Sequence, residues 1–214
     1  MTERVNSLRR RLGATSRSIF ERKKYFVFER IIADGCFKLE AKVGVDVRLV
    51  QRDDFPKFAK GFKKFKRKKK KIWLKAKERF EMGHICIVAD MHGDFVHLKW
   101  VAFNEAYVSA LERKLRISSN SAYMYDSYTV PEYRELGIAR KATRKAFSYL
   151  YERGIRKVYA CIHHNNFPSL RAAHKVGFRE IGKITYTRIF KLRLYRCEGE
   201  TEENYNKLKE MFSI

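Results

Sequence analysis

Val130-Pro-Glu-Tyr-Arg134-Glu-Leu-Gly137-Ile-Ala139-Arg140 is the stretch whose reading settles the architecture. Before it, Ser121-Ala-Tyr-Met-Tyr-Asp126-Ser-Tyr-Thr129-Val130 is rich in β-formers and closes on Pro131, as a strand that ends there would. After it, Ile138, Ala142, Ala146 and Leu150 recur every fourth position, which predicts a helix over 136–153 with Gly154 as its stop. A strand therefore hands over to a helix across a tight turn containing Gly137 and Ala139. Small residues let a ligand approach the backbone, and the free N–H groups of a helix start carry the positive end of its dipole. With Arg134 and Arg140 alongside, the turn is a candidate pyrophosphate cradle. An ordinary strand–helix turn, using Gly137 only for packing, is the plainer alternative.

Further along the chain, Val158–Ile162 reads as a strand, 166–176 as a short helix and 178–195 as two β-rich segments. Towards the N-terminus, residues 1–22 read as a basic helix or arm, with Val5, Leu8 and Leu12 between arginines. Lys24–Ile32 and Cys36–Glu40 read as strands joined by an Asp34-Gly35 hairpin turn, and Val45–Val50 as another strand. From Asp53 to Glu81 the pattern is helical: Phe55, Phe58, Phe62 and Phe65 share one face. The cation run Lys66–Lys71 then breaks the pattern, and a second helix carries Trp73, Leu74, Ala76 and Phe80. His84–Ala89 and Phe95–Phe103 are strands around a His92-Gly93-Asp94 turn, and 104–120 reads as irregular. Strands and helices in this order predict an α/β fold, a mixed sheet with flanking helices.

A length of 214 residues fits one domain with a sizeable core, since 45% of the chain is hydrophobic and 14% aromatic. The balance of 48 Lys and Arg against 24 Asp and Glu leaves +24, which belongs on the surface and attracts anions. Cys36, Cys86, Cys161 and Cys197 lie far apart, arguing against a zinc ribbon or a disulfide framework and for reduced thiols in the cytoplasm. No apolar run approaches the length that spans a bilayer, so the expectation is a soluble protein, with peripheral membrane contact left open.

One helix and one strand beyond the Gly137 turn come Asn165-Asn166-Phe-Pro-Ser169 and then Gly177-Phe178. Taken together with the turn, this ordered set resembles the GNAT superfamily of N-acetyltransferases from residue 45 to about 190. Tyr128–Arg134 is similar to the family's segment entering its R/Q-x-x-G-x-G/A motif, and Val47–Asp54 to its first strand and helix start. The resemblance implies a mostly antiparallel sheet with splayed middle strands in residues 45–214. Residues 1–44 are then an N-terminal basic arm and strand extension.

It also implies acyl transfer from a thioester to an amine without a metal. The donor is acetyl-CoA by default, with a longer acyl-CoA or an acyl carrier protein as variants; the acceptor is an amine on a small molecule, peptide or protein. By position, Thr129 and Val130 offer backbone groups to the acyl carbonyl and pantetheine. Leu136, Gly137, Ile138, Ala139 and Arg140 hold the phosphates with Arg134 nearby, while Asn166 and Ser169 contact the pantetheine arm or the helix start. Many family members carry a Tyr general acid seven residues after the Asn; here that position is Ala173, followed by His174. Candidate bases are Asp126 and, at the end of the next strand, His163 or His164, with plainer readings of Asp126 as an ion-pair partner and His163 as a strand end. Among Tyr123, Tyr125, Tyr159 and Tyr186, mostly core by expectation, one can supply the missing acid, and His97 reads as a solvated strand position.

The segment Lys57–Lys77 holds twelve cations and no acid. It suits an acidic acyl carrier protein or an anionic membrane surface, unless its rings form core and its lysines a solvated face. The alternative from another class is a catalytically inactive GNAT-like module that binds nucleic acid or an anionic membrane. Charge favours that alternative; the intact Arg134…Ala139 turn favours the enzyme.

Overall fold

A computed structural model of the protein describes residues 20–33, 41, 43–54 and 69–214, with backbone alone over 69–74. The expected N-terminal arm before Phe20, the Asp34-Gly35 hairpin with its second strand, and the four-phenylalanine helix face lie outside the described residues.

Eight strands form one sheet in the order β10-β9-β1-β8-β7-β4-β3-β2. Their spans are β1 Phe20–Ile31, β2 Asp46–Val50, β3 Ile85–Met91, β4 Asp94–Ala102, β7 Ser121–Thr129, β8 Lys157–His163, β9 Arg179–Ile189 and β10 Leu192–Gly199. Neighbours are antiparallel except β7 and β8. The strand expected in the N-terminal extension is present, and it runs inside the sheet, hydrogen-bonded to β8 on one side and β9 on the other. Extension and main domain therefore share one sheet. The β3–β4 connection is the turn expected from its sequence: His92 and Gly93 have φ of 56° and 82°, the left-handed pair of a two-residue hairpin.

The sheet is covered on both faces. On one lies α2 (Ile138–Glu152), which buries Ile138, Ala142, Ala146, Phe147 and Leu150, with α3 (Phe167–Lys175) beside it. Burying Phe147 or Leu150 contributes about 1.5–3 kcal/mol each, and truncating Phe147 to Ala should cost about 3–5 kcal/mol. The helix stops where glycine was expected: Gly154 (φ 78°) donates to Tyr151 O and Ile155 to Leu150 O, a left-handed C-terminal cap.

On the opposite face, α1 (Lys69–Glu81) sets Ala76 and Phe80 against Cys86, Val88, Leu98 and Trp100. The hairpin β5 (Glu105–Val108) and β6 (Arg113–Arg116) joins α4 (Glu202–Phe212) over Tyr25, Val27, Ile184 and Tyr186. Two expectations are corrected here, and one element is new. Residues 104–120 contain a hairpin, because Ala106, Val108 and Leu115 alternate inward over runs too short to stand out. The cations Lys69–Lys71 sit within the first turn of α1 rather than between helices. The last element, α4, was not anticipated; Thr201 caps it by accepting from Asn204 N, and Leu208, Met211 and Phe212 anchor it.

Candidate functional site

β7 and β8 are partners over three pairs only, Ser121↔Lys157, Ala122↔Val158 and Tyr123↔Tyr159. Beyond these the strands part, β7 following β4 and β8 following β1. Parting is accentuated by a bulge: Trp100 faces Tyr125 and Leu98 faces Tyr128, so Asp126 and Ser127 together oppose Lys99. Asp126 adopts φ of 45°, left-handed and uncommon for a residue with a side chain. A cleft of about 340 Å³ fills the gap. Ala160, Cys161, Ile162 and His163 all line it. Consecutive strand residues point to opposite faces, so the cleft runs through the sheet from one face to the other. The expected splayed middle strands are thus present.

On the face covered by α2, the cleft passes Ala139, Arg140 and Thr143 of that helix, then Asn166, Ser169, Ala172 and Ala173 at α3. Gly137 caps α2 in the left-handed region, φ 80°, where any side chain is strained. Its carbonyl accepts from Arg140 N and Lys141 N, so the helix opens with its first N–H groups directed outward. Arg134 donates from Nε to Thr129 O at 3.2 Å and lies over the Tyr128 ring, which holds this cation beside the turn. Asn166 Oδ1 accepts from Ser169 N at 3.3 Å, the N-terminal cap of α3.

The sequence-derived site divides in two. Asp126, Ala139, Arg140, His163, Asn166 and Ser169 come together on the cleft; Thr129, Val130, Arg134, Leu136, Gly137 and Ile138 do not line it. Val130 is corrected as a donor to the acyl carbonyl, because its N–H bonds Val96 O and its side chain is buried. Thr129 is tied to the sheet by its hydroxyl, 2.8 Å from His97 Nδ1. The backbone released from the ladder belongs instead to Asp126 and Ser127.

Asp126 is the one carboxylate among the lining residues, and it pairs with Arg79. Arg79 is itself clamped between the Trp100 and Tyr125 rings, its guanidinium 4.9 and 4.8 Å from their centroids. His163 is held below the ordinary imidazole range, by burial first and by the neighbouring His164 and Lys23 next. Its Nδ1 accepts from Asn165 N at 3.2 Å, which fixes the neutral tautomer with hydrogen on Nε2.

Of the four tyrosines considered, only Tyr125 lines the cleft, and its hydroxyl is spent on His84 Nδ1 at 2.7 Å. Tyr25, from the interior strand β1, was missed and also lines it; burial pushes its phenol up to about 12. Lys99 was missed as well. It is partly buried, donates to Thr143 Oγ1, and burial lowers its ammonium to about 8. His97 is corrected from solvated to fully buried, with burial lowering it to about 3. Among the described residues no group of three or more His, Cys, Asp or Glu could hold a metal ion, and no helix is long and apolar enough to cross a membrane.

Residues 82–178 match the model of the acetyltransferase (GNAT) family. Every lining residue of the cleft except Tyr25 falls within that span. No curated protein matches the chain. Among solved structures, an acetyltransferase of the GNAT family from Colwellia psychrerythraea aligns at 13% identity and TM-score 0.53, over 78% of this chain and 55% of its own. A GCN5-related N-acetyltransferase from Sphaerobacter thermophilus aligns at 14% and 0.50, over 85% and 56%. The aminoglycoside enzyme AAC(6')-Iy in complex with a bisubstrate analogue aligns at 16% and 0.49, over 64% and 92%. At such identities the likeness is one of fold.

Proposed function

We propose that this chain, whose residues 82–178 match the model of the acetyltransferase (GNAT) family, moves an acyl group from coenzyme A to an amine. The observation that carries the reading is the cleft through the sheet, with the Gly137 helix start beside it on one face. The residues present fit the donor. Outward N–H groups at α2, with Arg140 and Arg134 close by, suit a pyrophosphate. The cleft wall of Ala139, Ala160, Ala172 and Ala173 leaves a narrow, largely apolar passage for a thioester arm. Acetyl is the simplest acyl group; a longer chain, or an acyl carrier protein as donor, uses the same passage.

In this reading the amine approaches from the face opposite α2, where Tyr25, Cys161 and His163 stand. Its nitrogen bonds the thioester carbon, and the carbon–sulfur bond breaks with its electron pair going to sulfur. Asp126 takes the proton lost by nitrogen, and the hydrogen-bearing Nε2 of His163 orients the acceptor or the developing oxyanion. With Ala173 in place of a phenol, Tyr25 is the group able to protonate the thiolate from within the cleft, since its raised pKa keeps it an acid. Products are an amide and a free thiol. The segment Lys57–Lys77, lying largely outside the described residues, is proposed as a docking surface for an acidic carrier protein or an anionic membrane.

The test is release of coenzyme A thiol from acetyl-CoA in the presence of a panel of primary amines, with amide formation followed by mass spectrometry. Amine-dependent thiol release is expected. Absence of turnover, with tight salt-sensitive binding of RNA or anionic vesicles, would favour an inactive binding module instead.

A further inference from the structure

The Lys99 ammonium has only one polar partner among the described residues, the Thr143 hydroxyl, and no carboxylate. Thr143 gives its own hydrogen to Ala139 O at 2.8 Å, so it serves Lys99 purely as an acceptor. The one acid lining the same cleft, Asp126, is bound to Arg79. A partly buried cation without a counter-ion is costly, and a ligand that brings the missing charge is correspondingly favoured.

Its place in the fold says which part of a ligand that is. Lys99 opposes the Asp126–Ser127 bulge and reaches up to α2, on the face where the Gly137 helix start lies. Gly137 to Thr143 spans six residues of helix, about 9 Å, so the ammonium lies well inside the turn that would hold phosphates. It faces the passage rather than its entrance. The same cleft is lined by Met124, Ala139 and Ala160, whose apolar side chains offer an acyl chain room.

Building on the proposal that this cleft binds an acyl thioester, we propose that the acyl group ends in a carboxylate and that Lys99 is its counter-ion. The donor is then the monothioester of a short dicarboxylic acid. In the transfer the distal carboxylate is a spectator: the carbon–nitrogen bond forms, the carbon–sulfur bond breaks, and the product amide keeps the acid.

Calorimetric titration of coenzyme A, acetyl-CoA and succinyl-CoA into the full chain, wild type and Lys99→Met, tests this without an acceptor. Wild type should bind succinyl-CoA at least about tenfold tighter than acetyl-CoA, the scale of one charge-assisted bond. Lys99→Met should erase that preference. It should melt no lower than wild type, because a partly buried charge without a counter-ion is replaced by a chain of similar length, so misfolding cannot imitate the result. Equal binding of the two thioesters by wild type would overturn the inference alone. A uniform loss for all three ligands in Lys99→Met would also overturn it, placing Lys99 against the shared coenzyme arm. If wild type binds none of the three, the thioester reading falls and this inference with it.

Discussion

Tyr25 of β1 and His163 of β8 are partners across the sheet, and their rings meet edge to face with centroids 5.1 Å apart, both on the cleft. Tyr25 thus belongs to the site although it lies outside the residues matched by the family model. Tyr25→Phe keeps that edge contact and removes only the hydroxyl. Turnover at saturating acetyl-CoA should fall about tenfold, less than a general acid usually contributes because a thiolate is a fair leaving group. Affinity for the thioester should stay within a factor of about two. Unchanged kcat would remove Tyr25 from the chemistry.

Asp126→Asn is a clean test of the base, since Asn tolerates the left-handed backbone that Asp126 adopts, φ 45°. Its amide can still accept from Arg79 but cannot take a proton. Turnover should drop by about 10²-fold or more, with circular dichroism unchanged. If kcat across pH 6–9 matches wild type, the proton goes elsewhere.

His97 carries a pH dependence of stability. In the fold it is lowered to about 3 by burial and then by Lys99, and its Nε2 has no partner among the described residues; unfolded, it titrates near 6.5. Between those values the unfolded chain binds the extra proton, so stability is complete above about pH 6.5 and is lost as pH falls towards 3. His84, also lowered chiefly by burial, adds in the same direction. Denaturant melts of wild type and His97→Leu at pH 7.5 and 4.5 should show a smaller acid loss in the variant. Equal losses would mean that carboxylates alone govern acid stability.

Much of the site was legible because its turn chemistry is local. Gly137 with φ 80°, Gly154 at the helix end and Asn166 as a cap each answer to backbone geometry that few residue types satisfy. His97 was misread because β4 is covered on both faces, by α2 and by α1, so alternation there does not separate inside from outside. Tyr25 and Lys99 were out of reach for a different reason. They join the cleft through the pairing of β1 with β8 and the bulge opposite Lys99, relationships between segments far apart in sequence. The β5–β6 hairpin escaped because four-residue strands carry too little periodicity.

Replacing Lys63, Lys64, Lys66 and Arg67 with Gln should weaken binding to acyl carrier protein or to anionic vesicles. Wild-type binding should itself decline with added salt, since exposed charges are screened over about 8–10 Å at physiological ionic strength. Cosedimentation with vesicles and pull-down of the carrier protein read this directly. Indistinguishable binding by the variant would leave the cation run as a solvated face.

The most direct measurement of the central claim is calorimetric titration of coenzyme A into wild type, Gly137→Ala and Gly137→Glu. Both variants force a side chain into the left-handed conformation of Gly137 and should lose similar stability, about 1–3 kcal/mol. Only Glu places a negative charge where the pyrophosphate is expected. Wild type should bind coenzyme A, Gly137→Ala more weakly, and Gly137→Glu not detectably while still folded by circular dichroism. Coenzyme A binding with the same affinity in wild type and Gly137→Glu would contradict the account.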